Sequence, residues 1–284
     1  MYTIVAASQK GGSGKTTLSG HLAVEASRAG AGEIALIDTD PQGSLAHWWN
    51  ARQAPEPRFV KAGLPDLDQA LEGLRRMGIK IAVIDTPPAI TQSISQVVAH
   101  ADLVIVPTRP SPHDLRAVGA TVDIAERHGK PLVFVINAAS PRARITGESA
   151  VALSQHGTVA PITIHHRTDF AASMIDGRTV GEVVPDSQSA KEISELWVYL
   201  QDRLSRIVHD PALLPDFKLG HLAINSLLQT QEEPVADAPP IIETPTYEGP
   251  DRRVGERRLI LEPRAHERRV FGRRATDQVH WGHK

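Results

Sequence analysis

Short apolar runs recur along the first two thirds of the chain, most of them followed by a stretch with helical spacing. Tyr2 to Ala7 is the first run, with Ile4, Val5, Ala6 and Ala7 in series, and a helix is expected from about Lys15 through Leu18, Leu22 and Ala26. Ile34–Ile37, Ile81–Ile84, Leu103–Val106, Leu132–Ile136 and Ile162–Ile164 read as further strands. Helices are expected over Asp68–Met77, Asp114–His128, Gly147–His156 and Gln188–Val208. Unbroken apolar runs, as opposed to alternating ones, mark strands covered on both faces. Strands alternating with helices then predict an α/β fold, a mostly parallel twisted sheet with helices on both faces. The runs are too short to span a bilayer. The alternation ends near residue 210, so residues 1–210 read as one domain.

Beyond that point the pattern changes. Residues 211–230 carry Leu213, Leu214, Phe217, Leu219, Leu222, Ile224, Leu227 and Leu228, an amphipathic extension interrupted by Pro215 and Gly220. Its expected role is packing on the domain; contact with a partner or a membrane is the alternative. Residues 231–250 are rich in proline and acids and read as a disordered linker. Residues 251–284 hold a near-repeat, Arg252-Arg253-Val254-Gly255-Glu256-Arg257-Arg258 and Arg268-Arg269-Val270-Phe271-Gly272-Arg273-Arg274. This tail has ten Lys/Arg against five Asp/Glu, a net of +5, so the chain's overall −2 conceals −7 on the remainder. A cationic arm of this kind can bind DNA, RNA or anionic lipid without sequence preference, or fold back on the acidic body.

The first strand leads into Lys10-Gly11-Gly12-Ser13-Gly14-Lys15-Thr16-Thr17 and then directly into a helix. Strand, glycine loop and helix in this order make a phosphate site. Glycines let backbone N–H groups turn toward phosphate oxygens, and the helix N-terminus adds positive potential. Gly11, Gly12, Ser13, Gly14, Lys15, Thr16 and Thr17 are the nucleotide-contacting candidates. Lys15 is expected on the β and γ phosphates, and Thr16 on Mg²⁺. The strict spacing of such loops fails at Gln9, where a glycine is required.

Three further segments carry candidate chemistry. Asp38 and Asp40 close the second strand in Asp38-Thr39-Asp40-Pro41-Gln42, and side chains two apart share a face at the ligand-binding end of an open sheet. Capping the following turn is the plainer role for both, and Pro41 suits it. Asp85 ends the run Ile81–Ile84 and is the candidate to hold Mg²⁺ through its water shell. Asn137 ends Leu132–Ile136, a position where asparagine is an ordinary turn former.

Ser8-Gln9-Lys10-Gly11-Gly12-Ser13-Gly14-Lys15-Thr16-Thr17, Asp38-Thr39-Asp40-Pro41-Gln42 and Asp85-Thr86-Pro87-Pro88 together resemble the ParA/MinD class of P-loop NTPases with a deviant Walker A loop. Pro107-Thr108-Arg109-Pro110-Ser111-Pro112-His113-Asp114-Leu115 and Ile175-Asp176-Gly177-Arg178-Thr179-Val180 extend the resemblance across nearly the whole domain. Gln-Lys-Gly-Gly is more similar to the DNA-partition branch than to the membrane-bound MinD branch. With no helix-turn-helix ahead of Met1, the chain resembles the small partition ATPases.

The resemblance implies an ATP hydrolase with Mg²⁺, stimulated by a ParB-like or cargo-adaptor protein. Lys10 would reach across a homodimer closed by ATP, Asp40 would orient the attacking water, Asp38 would support the metal or a switch segment, and Asn137 would hydrogen-bond adenine. The closed dimer would bind nonspecific DNA, and Lys10, Lys15 and Asp40 would carry catalysis. A MinD-like membrane regulator is the alternative.

Composition narrows the relatives. The chain has no cysteine, which excludes disulfides and the iron–sulfur members of that superfamily. Thirteen histidines invite a metal reading, but His165-His166 and the rest lack ligand spacing. No signal peptide is apparent from Met1 onward, so a bacterial cytoplasmic, nucleoid-associated location is expected. Trp48-Trp49 reads as core or interface packing. Arg142, Arg144, Arg167, Arg178 and Lys191 are the domain's candidate DNA contacts.

Overall fold

The computed structural model describes residues 1–88 and 92–209. The expected extension over 211–230, the linker and the basic tail lie outside the described residues.

The elements run β1 (Tyr2–Ala6), α1 (Lys15–Arg28), β2 (Ile34–Asp38), α2 (Ser44–Asn50), β3 (Arg58–Lys61), α3 (Leu67–Arg76), β4 (Ile81–Asp85) and α4 (Gln92–Ala99). Then come β5 (Leu103–Thr108), α5 (Pro112–Ala117), α6 (Gly119–Arg127), β6 (Leu132–Ile136), α7 (Arg144–Ser154), β7 (Thr158–Val159), α8 (Thr168–Ser173), α9 (Val180–Val183) and α10 (Gln188–His209). The strands form one parallel sheet in the order β3-β2-β4-β1-β5-β6-β7. This is the mostly parallel sheet covered on both faces that the apolar runs predict.

Period-two alternation explains how both faces are buried. Ile4, Leu36, Val83, Ile105 and Val135 point to one side, against Leu18 and Leu22 of α1 and Leu196, Trp197 and Leu200 of α10. Val5, Ile37, Ile84, Val104 and Phe134 point to the other, against Leu71 of α3, Ile94 and Val97 of α4, and Val122 of α6. Because β1 lies between β4 and β5, the strand order reverses there, and the crevice at the strands' C-terminal ends opens beside the loop after β1.

The structure corrects four boundaries. Residues 162–164 are not a strand. The last strand is Thr158–Val159, since Pro161 has no N–H for a ladder, and Ile164 instead crosses the end of β6, donating to the Ile136 carbonyl at 2.9 Å. The expected helix over Asp114–His128 is two helices. It starts earlier, where Ser111 accepts from the Asp114 N–H at 3.2 Å with Pro112 in the first turn. It breaks at Val118, beside the weak helix former Gly119. The seventh helix begins at Arg144, three residues before the expected Gly147. The pair β3 and α2 escaped the reading of apolar runs; β3 is an edge strand with charged Arg58 and Lys61 at its ends.

Trp48 is core: it is buried, packs on Gly20, and donates from Nε1 to the Arg178 carbonyl at 3.2 Å. Trp49 stacks on Phe59 with centroids 5.2 Å apart and donates to the Pro57 carbonyl at 3.0 Å.

His21 on α1 is fully buried between the Thr17 carbonyl, 2.8 Å from Nδ1, and the Val180 N–H, 3.3 Å from Nε2, with Phe170 edge-on at 5.3 Å. Only a neutral ring with its proton on Nδ1 satisfies both contacts. Burial lowers its pKa to about 4 from an ordinary 6.5, against a smaller opposing pull from the Thr17 carbonyl. A depressed folded pKa gives stability that is complete above the unfolded value and lost as pH falls toward the folded one. Between pH 7 and 5 this group should cost about 2 kcal/mol. Urea unfolding at the two pH values should show that loss in the native chain, and a flatter dependence in His21→Gln.

Candidate nucleotide site

The crevice is built from the ends of β1, β2, β4 and β5. Register sets Ala6 against both Asp85 and Ile105, and Asp38 against Asp85, so the carboxylates that close β2 and β4 stand side by side next to the glycine loop. Gly14 has a φ of +98° and precedes α1; a Cβ there would collide with the Asn137 side chain, so the loop is held open by glycine at that point. Gly12, at φ +75°, forms part of the exposed tip. Gly11 lies against Pro88 on one side of that tip.

Thr16 donates its hydroxyl to Asp85 Oδ2 at 2.6 Å. Asp85 Oδ1 is buried with no hydrogen-bond partner. Burial, with the neighbouring Asp38 charge, pushes this carboxyl up to about 7, while the Thr16 hydrogen bond and Lys15 pull it down. A hydroxyl and a carboxylate in contact, with one carboxylate oxygen unused, match the donor set of a nucleotide-borne Mg²⁺. Among the described residues no group of three or more His, Cys, Asp or Glu side chains is placed to hold a metal ion.

Lys15 is buried and donates to the Lys10 carbonyl at 3.4 Å, closing the loop on itself. Burial lowers its ammonium pKa, opposed by the charges of Asp85 and Asp40. Asp38 is a turn clasp here: Oδ1 accepts from the Asp40 N–H at 2.9 Å and Oδ2 from the Ala46 N–H at 3.0 Å. Burial raises its pKa, and those two hydrogen bonds oppose the rise. Asp40 is partly exposed and accepts from the Gln42 N–H at 2.9 Å. Asn137 donates from Nδ2 to the Ser13 carbonyl at 2.7 Å, so it braces the phosphate loop. Ser13 Oγ and Gln9 Nε2 are also buried and unpartnered. Unsatisfied polar atoms gathered at one loop indicate a polar ligand.

Lys10, half-exposed, pairs with Asp114 of its own chain at 2.8 Å. Asp114 is buried, also accepts from the Ser111 hydroxyl, and has an unpartnered Oδ1. Sequence reasoning quoted Asp114 only as the start of a helix and as part of the Pro107–Leu115 segment. Arg109, at the end of β5, was likewise read only as part of a segment, yet its guanidinium lies over Gly12. Only the tertiary register of β5 against β1 brings either residue to the loop.

Four of the five candidate DNA contacts are already paired within the chain. Arg167 is bidentate on buried Glu192 at 2.7 and 2.9 Å, Arg178 pairs with Asp176, Arg144 with Glu148, and Lys191 with Glu195. Arg142 alone of the five has no ion pair among the described residues. No described helix is long and apolar enough to cross a membrane.

The chain resembles known proteins over the same region. It is 27% identical over 201 residues to "Maintenance of carboxysome distribution protein A" of Halothiobacillus neapolitanus, covering 67% of this chain and 92% of that protein. It is 30% identical over 124 residues to "Protein ParA" of Rhizobium radiobacter, covering 43% of this chain and 53% of that protein. Its fold matches a solved Cyanothece McdA complex with ATP at a TM-score of 0.56 and 17% identity, over 72% of this chain and 96% of that one. The family model described as "CobQ/CobB/MinD/ParA nucleotide binding domain" matches residues 4–180. Because that match spans more than half of the chain and takes in the whole phosphate loop, the chain belongs to the CobQ/CobB/MinD/ParA nucleotide-binding domain family.

Proposed function

We propose that the chain is a positioning ATPase that closes into a homodimer on ATP, binds nonspecific DNA in that state, and is released by partner-stimulated hydrolysis. The observation that carries the reading is the Thr16–Asp85 contact with its unused carboxylate oxygen, set beside Lys15 at the start of α1. Thr16 and Asp85 would hold Mg²⁺, which when bound would neutralise charge on the phosphate oxygens.

The chain's own groups supply the rest. Loop N–H groups and the α1 N-terminus bind phosphate, and Lys15 balances charge that builds toward the leaving oxygen. Asp40, free of the strand and partly exposed, orients the attacking water. Asp38 keeps Asp40's backbone in place through its clasp on the turn. Lys10 leaves Asp114 to serve the partner copy's nucleotide, so the pair at 2.8 Å is the resting position of the lysine. Asn137 steadies the loop through Ser13 and faces adenine with its remaining polar atoms.

The Halothiobacillus relative's name supports a large cellular assembly as cargo; DNA is the other cargo this reading allows. In either case a ParB-like or adaptor protein is the stimulating partner, and the protein works in the cytoplasm on the nucleoid.

The test is ATP-dependent binding to nonspecific duplex DNA by the full chain, by Lys10→Ala, and by a truncation before Asp251. The expected result is binding that needs ATP and Lys10 and survives truncation, with light scattering showing a dimer in the same conditions. Binding that ignores nucleotide and vanishes with the tail would reject the dimer switch.

A further inference from the structure

Three cations surround the phosphate loop, and two are engaged by the protein. Lys10 is on Asp114, and Lys15 is on the Lys10 carbonyl. The third is Arg109, exposed, for whose guanidinium no hydrogen bond or ion pair is found among the described residues. Its position is set by the sheet. β5 pairs with β1, Ala6 opposite Ile105, so the end of β5 emerges beside the loop that leaves β1. The guanidinium Nη2 and Cζ are 3.6 and 4.0 Å from where a Cβ on Gly12 would be. Gly12 has no side chain and its φ of +75° disfavours one, so nothing stands between the loop backbone and the guanidinium.

We propose that Arg109 is a direct ligand of the terminal phosphate of a nucleoside triphosphate bound in the same protomer. The proposal rests on the nucleotide reading of this loop and adds to it the group that distinguishes triphosphate from diphosphate. Inner phosphates belong at the α1 N-terminus, on the N–H groups around Lys15 and Thr16. The loop tip at Gly12 lies ahead of that point, where the outermost phosphate extends. A guanidinium presents a planar fork that takes two phosphate oxygens at once, and it remains charged at any working pH. Unlike Lys10, Arg109 needs no second copy of the chain and gives up no carboxylate to reach the ligand.

The experiment measures the affinities of ATP and ADP, each with Mg²⁺, for the full chain at concentrations where it is monomeric. The proteins are the native chain, Arg109→Ala, Arg109→Lys and Lys15→Ala. Arg109→Ala should weaken ATP roughly 10-fold to 100-fold, the scale of one or two charge-assisted hydrogen bonds, while ADP changes less than about threefold. Arg109→Lys should recover part of the ATP loss, since it keeps the charge and loses the fork. Unchanged melting temperatures are expected, because the guanidinium is exposed and pairs with no group among the described residues. An ATP-to-ADP preference equal to that of the native chain in Arg109→Ala would overturn the proposal, as would equal losses for both nucleotides. If Lys15→Ala bound both nucleotides as well as the native chain does, the failure would belong to the nucleotide reading itself.

Discussion

Lys15→Ala should abolish most ATP turnover, with the rate falling by about 10²–10³-fold or more, while the fold survives. Preorganised charge facing a phosphoryl group is worth that much where the charge is withdrawn from water, and Lys15 is buried as that role requires. The fold is spared because the ammonium is itself a burden in the folded chain. Burial lowers its pKa, and its hydrogen bond to the Lys10 carbonyl is long at 3.4 Å. Phosphate release in the presence of DNA, followed alongside thermal unfolding, separates the two effects. Turnover within threefold of the native chain would mean that Lys15 does not face the phosphates.

Arg52→Ala should cost about 3–5 kcal/mol of stability, lowering the melting temperature by roughly 10 °C or more. Arg52 follows α2, yet its side chain is almost wholly buried and forks onto Glu182 of α9 at 2.9 and 2.6 Å. It also donates to the Glu56 and Gly177 carbonyls at 2.6 and 2.9 Å, and its guanidinium lies 5.8 Å from the centre of the Trp48 ring. Truncation strands Glu182 and two carbonyls at once. Glu182 also closes the capping box of α9 with Thr179, so the helix start loses its anchor as well. Calorimetry decides the matter, and a loss below about 1 kcal/mol would show the site reforming around water. Replacing both Arg52 and Glu182 with apolar residues should recover only part of the loss, because the carbonyls remain unpaired.

Legibility in the sequence followed burial. Ile34–Ile37, Ile81–Ile84 and Leu132–Ile136 were readable as strands because helices cover both faces, which forces unbroken apolar runs. At the sheet edges that pressure is relaxed. β3 carries Arg58 and Lys61, β7 is two residues long, and neither leaves a recognisable run. The break at Val118 was hidden for a different reason, since apolar spacing continues through it while the backbone does not.

In the site, Lys15, Thr16, Asp38 and Asp85 were legible because each sits at a fixed offset from a glycine loop or a strand end. What Asp38 holds was not legible: its two backbone bonds depend on how the chain turns after Asp40. Asn137 was given to adenine by the resemblance; that its amide also holds the Ser13 carbonyl was not legible, because the two residues meet only in the fold. Asp114 meets Lys10 across a separation of 104 residues, and no local spacing encodes such a meeting.

The paired arginines on the domain surface bear on how any hold on DNA would respond to ionic strength. A cation that keeps a carboxylate beside it inside the fold has no need to recruit an anion from solution, and phosphate must first evict that carboxylate. Arg167 on Glu192 is the firmest case, with both guanidinium arms occupied. Affinity should therefore fall off with added salt more gently than the number of basic residues in the footprint would indicate. Exchange of internal for external partners would also keep each such contact shallow.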